Sequence, residues 1–183
     1  MSRHYEIRFS GSGGQGMMLL GDIFAEAAGS YENMEIILTK SYGPESRGGA
    51  CRSELIIDDS PINYPEAQSL DLLLAMTQQA CDKYCGDLGA KGILLVDPAF
   101  VRSLPEGIER VYSIPMTEIA QTVTGRDITA NVVAMGAIVA LGEFVGAESV
   151  RKAIAQRFPP SLHEVNQKAF DAGFEAAKAL RKR

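Results

Sequence analysis

Short apolar runs of strand length alternate with longer segments in which apolar residues recur at helical spacing. Strands are predicted over residues 5–9, 35–39, 50–57, 70–75, 92–96 and 110–114. The run at 70–75 is typical of a central strand that is buried on both faces. Helices are predicted over 17–28 and 78–85, between these strands. This alternation of strands and helices predicts an α/β fold.

The last third of the chain is predicted to be helical. Helices are expected over 116–123, 130–145 and 147–158, and a final helix begins near Ser161. The segment 130–145 is apolar nearly all round, so it should lie in the core. Gly136 and Gly142 lower its helix propensity, and close packing of another element is the expected reason.

Turn residues follow the third strand at 58–61, and residues 62–64 are predicted to return beside that strand as a hairpin. The sheet is therefore expected to be mixed and mostly parallel. The whole pattern predicts one domain over 1–183. Its architecture should be a three-layer, Rossmann-like α/β/α fold with a helical C-terminal third.

Composition narrows the classes of function. The net charge of −5 lacks the basic excess of a nucleic-acid-binding surface. No apolar run reaches the roughly 18 residues of a membrane span, so no membrane association is expected. The N-terminal residues show no apolar secretory core, and a cytoplasmic protein is therefore expected.

Neither a metal centre nor a catalytic group is expected of this chain. Cys51, Cys81 and Cys85 lack the spacing of an iron–sulfur ligand set. His4 and His163 have no neighbouring ligand pattern. The sequence shows no nucleophile triad and no pair of carboxylates in a pattern typical of general acid–base catalysis.

The most informative segment joins the first strand to the first helix: Gly11-Ser12-Gly13-Gly14-Gln15-Gly16. Its G-x-G-x-x-G spacing makes a tight turn that lets a ligand approach the backbone. Free N–H groups and the helix dipole then favour an anion. Gln15 adds a donor and an acceptor. The turn predicts an anion or carbonyl site, or a backbone contact with a partner.

An alternative is a free-standing NAD(P)-binding reductase or nucleotide-binding module. Such a unit usually has an acid at the end of its second strand to hold the ribose. Here the second strand ends Thr39-Lys40-Ser41, without an acid. Lys40 would suit a phosphorylated ribose. The alternative therefore stays open, supported by the glycine spacing and by this one lysine.

A second dense segment follows the second strand: Ser41-Tyr42-Gly43-Pro44-Glu45-Ser46-Arg47-Gly48-Gly49. If strands one and two are parallel neighbours, it lies beside the glycine turn, at the sheet edge where ligands bind. A surface loop with a weak Glu45–Arg47 pair is the simpler interpretation. The concentration of special residues in two loops at one edge favours a site.

Together, these two segments closely resemble the gamma subunit of 2-oxoacid:ferredoxin oxidoreductases, a family that includes pyruvate, 2-oxoglutarate, 2-oxoisovalerate and indolepyruvate enzymes. Segments 73–78, 114–120 and 131–137 match it in the same order. The family usually has Asn where Thr77 stands.

The resemblance implies a non-catalytic subunit that helps to enclose the active site and the coenzyme A path. In such a complex, thiamine diphosphate with Mg lies between alpha and beta subunits, and iron–sulfur clusters pass electrons to ferredoxin or a similar acceptor. The acyl group goes to coenzyme A. The implied partners are alpha, beta and a ferredoxin-like delta subunit, and a homodimer is expected when these are missing.

The residues expected to bind a cofactor or dock a subunit belong to the two loops and to the start of the segment 131–137. They are Gly11, Ser12, Gly13, Gly14, Gln15, Gly16, Ser41, Tyr42, Gly43, Pro44, Glu45, Arg47, Gly48, Gly49 and Asn131.

Overall fold

A computed structural model describes residues 3–42 and 51–181. Within these ranges one six-stranded sheet has the order β2-β3-β1-β4-β5-β6. The strands are β1 (His4–Gly11), β2 (Glu35–Ser41), β3 (Cys51–Asp58), β4 (Leu70–Ala75), β5 (Leu88–Val96) and β6 (Arg110–Ser113). β3 pairs antiparallel with both β1 and β2, whereas β1, β4, β5 and β6 pair in parallel. The predicted mixed, mostly parallel sheet is confirmed.

The predicted helices are present with small shifts in their bounds. They are α1 (Met17–Glu26), α2 (Gln78–Tyr84), α3 (Met116–Thr124), α4 (Ala130–Gly142), α5 (Ala147–Arg157) and α6 (His163–Arg181). A π-helical turn, Ala27–Tyr31, extends α1. The fourth helix ends before the predicted residue 145 because Glu143 takes up a left-handed conformation. Across the described parts of the chain, no helix is long and apolar enough to cross a bilayer.

The two faces of the sheet are covered unequally. Alternate residues of β4 point to opposite faces, as the pleat requires: Leu72 and Leu74 join the main core and Leu73 joins a smaller one. The main core packs the sheet against α1, α3, α4, α5 and α6. The smaller core lies beneath α2. The three predicted layers are confirmed. The smaller of the two outer layers consists mainly of α2.

α4 and α6 touch along their backbones. A Cβ atom at Gly136 would overlap the carbonyl oxygen of Phe170, and one at Gly173 would overlap the carbonyl oxygen of Val133. The close packing predicted for Gly136 is therefore present, and a glycine on each helix permits it. At Gly142 the close neighbour is the ring of Phe144, which follows in the same chain.

The predicted hairpin is wrong, since residues 62–64 form no strand. β1 and β2 already occupy both sides of β3, so no edge of β3 is free for a returning strand. The connection from β3 to β4 is held at its far end by Glu6, whose carboxylate accepts hydrogen bonds from the backbone N–H groups of Gln68 and Ser69, each at 2.6 Å.

A small polar cluster closes the amino-terminal edge of the sheet. His4 Nδ1 lies 2.6 Å from Asp58 Oδ2, and His4 Nε2 lies 3.3 Å from Glu6 Oε1. The hydrogen bond with Asp58 is the main cause that raises the pKa of His4 above 6.5. Hydrogen bonds from the Ser60 hydroxyl and from His4 lower the pKa of Asp58 from 3.8 to about 2.

Replacing either helix-contact glycine by alanine should destabilise the protein. Gly136→Ala and Gly173→Ala should each lower the free energy of unfolding by about 2–3 kcal/mol, because the new methyl group forces the helices apart. Gly29→Ala is the matched control: its Cβ would lie 3.6 Å from Ile36 Cγ1, an ordinary contact. Urea denaturation compares the three variants. Wild-type stability in Gly173→Ala would contradict the backbone contact.

The polar cluster should make stability depend on pH in two windows. Because the pKa of His4 is raised in the folded state, its contribution is complete below pH 6.5 and is lost as the pH rises through that raised value. Because the pKa of Asp58 is lowered, its contribution is present above pH 3.8 and is lost as the pH falls towards about 2. His4→Gln should flatten the upper window in urea titrations at about pH 5 and about pH 8. An unchanged slope there would assign the pH dependence to other groups.

Candidate functional site

The glycine turn lies between β1 and β4, at the point where the connecting helices switch from one face of the sheet to the other. β1 and β4 are parallel neighbours, but the helix after β1 packs on the main core and the helix after β4 packs on the opposite face. In open α/β sheets a crevice opens at this point, outside the carboxyl ends of the strands, and ligands bind there. The sequence therefore places its most distinctive motif at the position where this fold favours a site.

The glycines of the turn divide into two pairs. A Cβ atom at Gly11 would overlap Gln15 Oε1, and one at Gly16 would overlap Asn131 Nδ2. These two glycines therefore make room for amide side chains of the same chain. Gly13 and Gly14 would meet no atom within 4 Å. They leave an open backbone surface that an approaching group can contact.

The start of α1 has no side-chain cap. Gly16, its N-cap residue, has a φ of 81°, and Gly14 has a φ of 92°. Both values lie in the left-handed region that glycine tolerates best. The N–H groups of the first helical turn therefore have no side-chain acceptor, and with the dipole of the ten-residue helix they favour an anion.

Gln15 is engaged within the chain instead of being free for a ligand. Its Oε1 accepts a hydrogen bond from the N–H of Ser12 at 2.8 Å, and its Nε2 donates to the carbonyl oxygen of Met76 at 3.2 Å. Met76 in turn donates its N–H to the carbonyl oxygen of Ser10. Gln15 thus ties the turn to the end of β4 across the crevice.

The condition that strands one and two are parallel neighbours is not met. β3 lies between them, and Arg52 is paired with Ser10 on one side and with Ser41 on the other. Ser41 therefore ends at the same edge as the turn, but two strand spacings away, about 10 Å. On this side of β1 the adjacent strand, β3, is antiparallel, so its carboxyl end does not lie beside the turn and cannot place a ribose-binding acid there. The geometry therefore does not support the dinucleotide alternative.

Part of the second predicted segment is described. Ser41 ends β2, and the following Tyr42 is 72% exposed. The remaining predicted residues of this segment lie outside the described ranges, and their roles stay predictions: Gly43, Pro44, Glu45, Arg47, Gly48 and Gly49.

Two clefts open beside the glycine turn. The first, of about 300 Å³, reaches from Gly14 to Met76, Phe100 and Thr117; we call it the α3 cleft. The second, of about 380 Å³, reaches from Gly14 to Phe158 and the start of α6; we call it the α6 cleft. Gly14, Ile128 and Asn131 border both of them.

Asn131 stands between the clefts, at the start of α4. It is 8% exposed and borders both clefts. The resemblance singled out this residue, and the structure brings it to the glycine turn through its contact with Gly16. The predicted residues of the turn and Asn131 therefore form one surface.

Two polar side chains support this surface, and neither role is visible in the sequence. Asp97, fully buried at the end of β5, accepts hydrogen bonds from the N–H (2.8 Å) and the hydroxyl (2.7 Å) of Thr117 and so fixes the start of α3. Thr77 caps α2 by accepting from the N–H of Ala80. Asn is an equally good cap, so the departure from the family pattern at Thr77 keeps this function. A buried carboxylate is not distinguishable from an exposed one in the sequence.

The exposed apolar residues were missed as well. Ile128 is 70% exposed and Phe100 is 44% exposed, and each borders a cleft. In the sequence they look like ordinary core positions. Ile128 lies in the 3-10 turn between α3 and α4, and Phe100 lies in the turn that follows β5.

The surface is suited to binding rather than to chemistry. Burial raises the pKa of the Cys51 thiol, which lies in the strand next to Gly11, so this thiol stays protonated. Burial also raises the pKa of Cys81 to about 11. Among the residues in 3–42 and 51–181, no group of three or more His, Cys, Asp or Glu side chains could hold a metal ion. What the site offers is backbone N–H groups, an amide and apolar walls.

Comparisons with known proteins agree over nearly the whole chain. The family model described as pyruvate ferredoxin/flavodoxin oxidoreductase matches residues 6–176. The 2-oxoglutarate synthase subunit KorC of Methanocaldococcus jannaschii is 45% identical over 177 residues, which cover 96% of this chain and 95% of that protein. The crystal structure of a keto/oxoacid ferredoxin oxidoreductase gamma subunit from Geobacter sulfurreducens is 48% identical, with a TM-score of 0.89, and the match covers 96% of this chain and 97% of that chain.

Some relatives are much longer than this chain. The ketoisovalerate oxidoreductase subunit VorA of Methanothermobacter marburgensis is 32% identical over 180 residues, which cover 96% of this chain but 37% of that protein. A domain similar to this chain is there continuous with further polypeptide.

The two kinds of glycine should respond oppositely to substitution. Gly13→Ala should leave the thermal midpoint within about 2 °C of wild type, because its methyl group enters open space. Gly16→Ala should lower the midpoint by about 5 °C or more, because it combines a left-handed backbone with an overlap on Asn131. Differential scanning calorimetry measures both. Equal losses would mean that Gly13 also has a packing role.

Proposed function

The chain belongs to the pyruvate ferredoxin/flavodoxin oxidoreductase family, and we propose that it works as the gamma subunit of a complex that oxidises 2-oxoglutarate. The observation that carries this proposal is the match to a gamma subunit along nearly the full length of both chains. The relatives named as 2-oxoglutarate synthase subunits are 34–45% identical, whereas those named for ketoisovalerate or pyruvate are 30–32% identical. This difference favours 2-oxoglutarate over the other 2-oxoacids.

The chemistry of this complex belongs to the partner subunits. Thiamine diphosphate with Mg, bound between alpha and beta subunits, supports decarboxylation, and iron–sulfur clusters carry two electrons to ferredoxin or a similar acceptor. Coenzyme A, when bound, supplies the thiol that accepts the acyl group. This chain contributes a binding surface of backbone N–H groups, an amide and apolar walls.

The proposed role of the glycine turn is to receive an anion or a partner's backbone at the edge of the active site. Gly13 and Gly14 leave the turn open, and the start of α1 has no side-chain cap. Both features suit the pyrophosphate of coenzyme A. Arg47 is proposed as a further contact for the same anion, since its guanidinium can bind phosphate oxygens in pairs.

The complex is proposed to work in the cytoplasm with alpha, beta and ferredoxin-like delta subunits. Cys51, Cys81 and Cys85 are free thiols, which fits a reducing compartment. Without its partners this chain leaves Ile128 and Phe100 exposed, which favours a homodimer of the isolated chain.

Co-expression of this chain, carrying an affinity tag, with the other subunits of its complex tests the proposal. Purified complex should reduce ferredoxin in the presence of 2-oxoglutarate and coenzyme A, whereas this chain alone should be inactive. Gly13→Val should lower activity or assembly because its side chain fills the open approach to the turn. Gly29→Ala, which lies away from the turn, serves as the control.

Three results would count against this function. They are turnover of 2-oxoglutarate by the isolated chain, a pull-down without thiamine-dependent subunits, and tight NADPH binding to the isolated chain in calorimetry. The last result would favour the dinucleotide alternative instead.

A further inference from the structure

The connection between β3 and β4, residues 59–69, runs along the face of the sheet that carries α2; we call it the strap. It contains no helix or strand, and its Ala67 packs against the smaller core. Glu66 borders two cavities, one of about 280 Å³ that reaches Arg8 and one of about 340 Å³ that reaches His4. The strap therefore separates these two cavities, and its position depends mainly on the contacts at its ends.

A carboxylate holds each end of the strap. At the start, Asp58 Oδ1 accepts hydrogen bonds from the N–H (2.8 Å) and the hydroxyl (2.6 Å) of Ser60. At the far end, Glu6 Oε2 accepts hydrogen bonds from the N–H groups of Gln68 and Ser69, each at 2.6 Å. Both carboxylates are largely buried, so each is stable in its charged form only with donors or a cation close by.

His4 links the two carboxylates to each other. Its Nδ1 lies 2.6 Å from Asp58 Oδ2, and its Nε2 lies 3.3 Å from Glu6 Oε1. A neutral imidazole carries a proton on only one ring nitrogen, so neutral His4 can donate to one carboxylate and turns a lone pair towards the other. The imidazolium donates to both. Only protonated His4 therefore supports both ends of the strap.

No other cation takes over this role within the described ranges. The titratable groups around His4 are acidic or neutral: Glu6 on β1, Asp58 on β3, Tyr64 and Glu66 on the strap, and Asp71 on β4. Arg3, which precedes His4, pairs with Glu32 instead. Asp71 Oδ2 accepts the N–H of Glu6 at 2.9 Å, and burial raises the pKa of Asp71. Loss of the proton from His4 therefore leaves the Glu6 carboxylate close to Asp71 without a compensating charge.

We propose that the proton on His4 is a switch for the strap, which is closed at both ends when the proton is bound and detaches at Gln68 and Ser69 when it is lost. Detachment would join the two cavities and uncover Arg8, which is 3% exposed in the closed form. The switch belongs to this chain alone, so it does not depend on the proposed function.

The direction of the pH dependence follows from the folded state. The hydrogen bond with Asp58 is the main cause that raises the pKa of His4 above 6.5. Closure is therefore complete below pH 6.5 and is lost as the pH rises through the raised value.

Hydrogen–deuterium exchange of the full chain, read by mass spectrometry at about pH 6 and about pH 9, tests the switch. After correction for the intrinsic exchange rate, the protection of residues 60–69 should fall by about fivefold or more at the higher pH. Protection of β3 should stay constant. His4→Gln should show low protection of the strap at both pH values, because glutamine cannot take up the charge.

Two further variants separate the charge of His4 from other effects. His4→Arg stays charged throughout and should keep the strap protected at both pH values. His163→Gln is the matched control, because His163 lies on α6 and contacts the backbone of Phe158; it should behave like wild type. Equal wild-type protection at the two pH values would overturn the proposal, as would wild-type pH dependence in His4→Gln. A parallel loss of protection in β3 would also overturn it, since the whole sheet would then be opening.

Discussion

The backbone contact between α4 and α6 is the constraint on which the rest of the structure depends. α4 is apolar all round and buried along almost its whole length, so its position is set by what packs against it. Gly136 and Gly173 let α6 approach until main chain meets main chain. Such an approach fixes the distance between the helices far more tightly than interlocking side chains do, because no rotamer change can relieve an overlap with a carbonyl oxygen.

This contact also determines the shape of the binding surface. Asn131 is at the beginning of α4 and Asn166 is near the beginning of α6, and both border the α6 cleft. The spacing of the two helices therefore sets the distance between these two amide side chains. Asn131 in turn packs on Gly16, which places α4 against the glycine turn. The turn, the clefts and the helical core are therefore held in fixed relative positions. A substitution at Gly173 in the core should shift residues at the turn.

Local patterns in the sequence predicted the elements well and their arrangement less well. The strand at 70–75 and the buried helix at 130–145 follow from apolar runs, which depend only on neighbouring residues. The order of the strands in the sheet does not follow from such runs. Because β3 lies between β1 and β2, the predicted hairpin at 62–64 is wrong and strands one and two are not adjacent. Asn166, whose buried Nδ2 has no hydrogen-bond partner, carried no signal, because burial of a polar side chain cannot be read from its sequence neighbours. Arg47 and its neighbours lie outside the described ranges, so their roles in binding remain predictions.

The direction of β3 links the ends of three strands. Because β3 runs against β1 and β2, its first residue, Cys51, is paired with Gly11, and Arg52 is paired with both Ser10 and Ser41. The end of β2, the start of β3 and the open turn therefore share one rim of the sheet. A displacement of β3 along its own axis would move the turn and the end of β2 together.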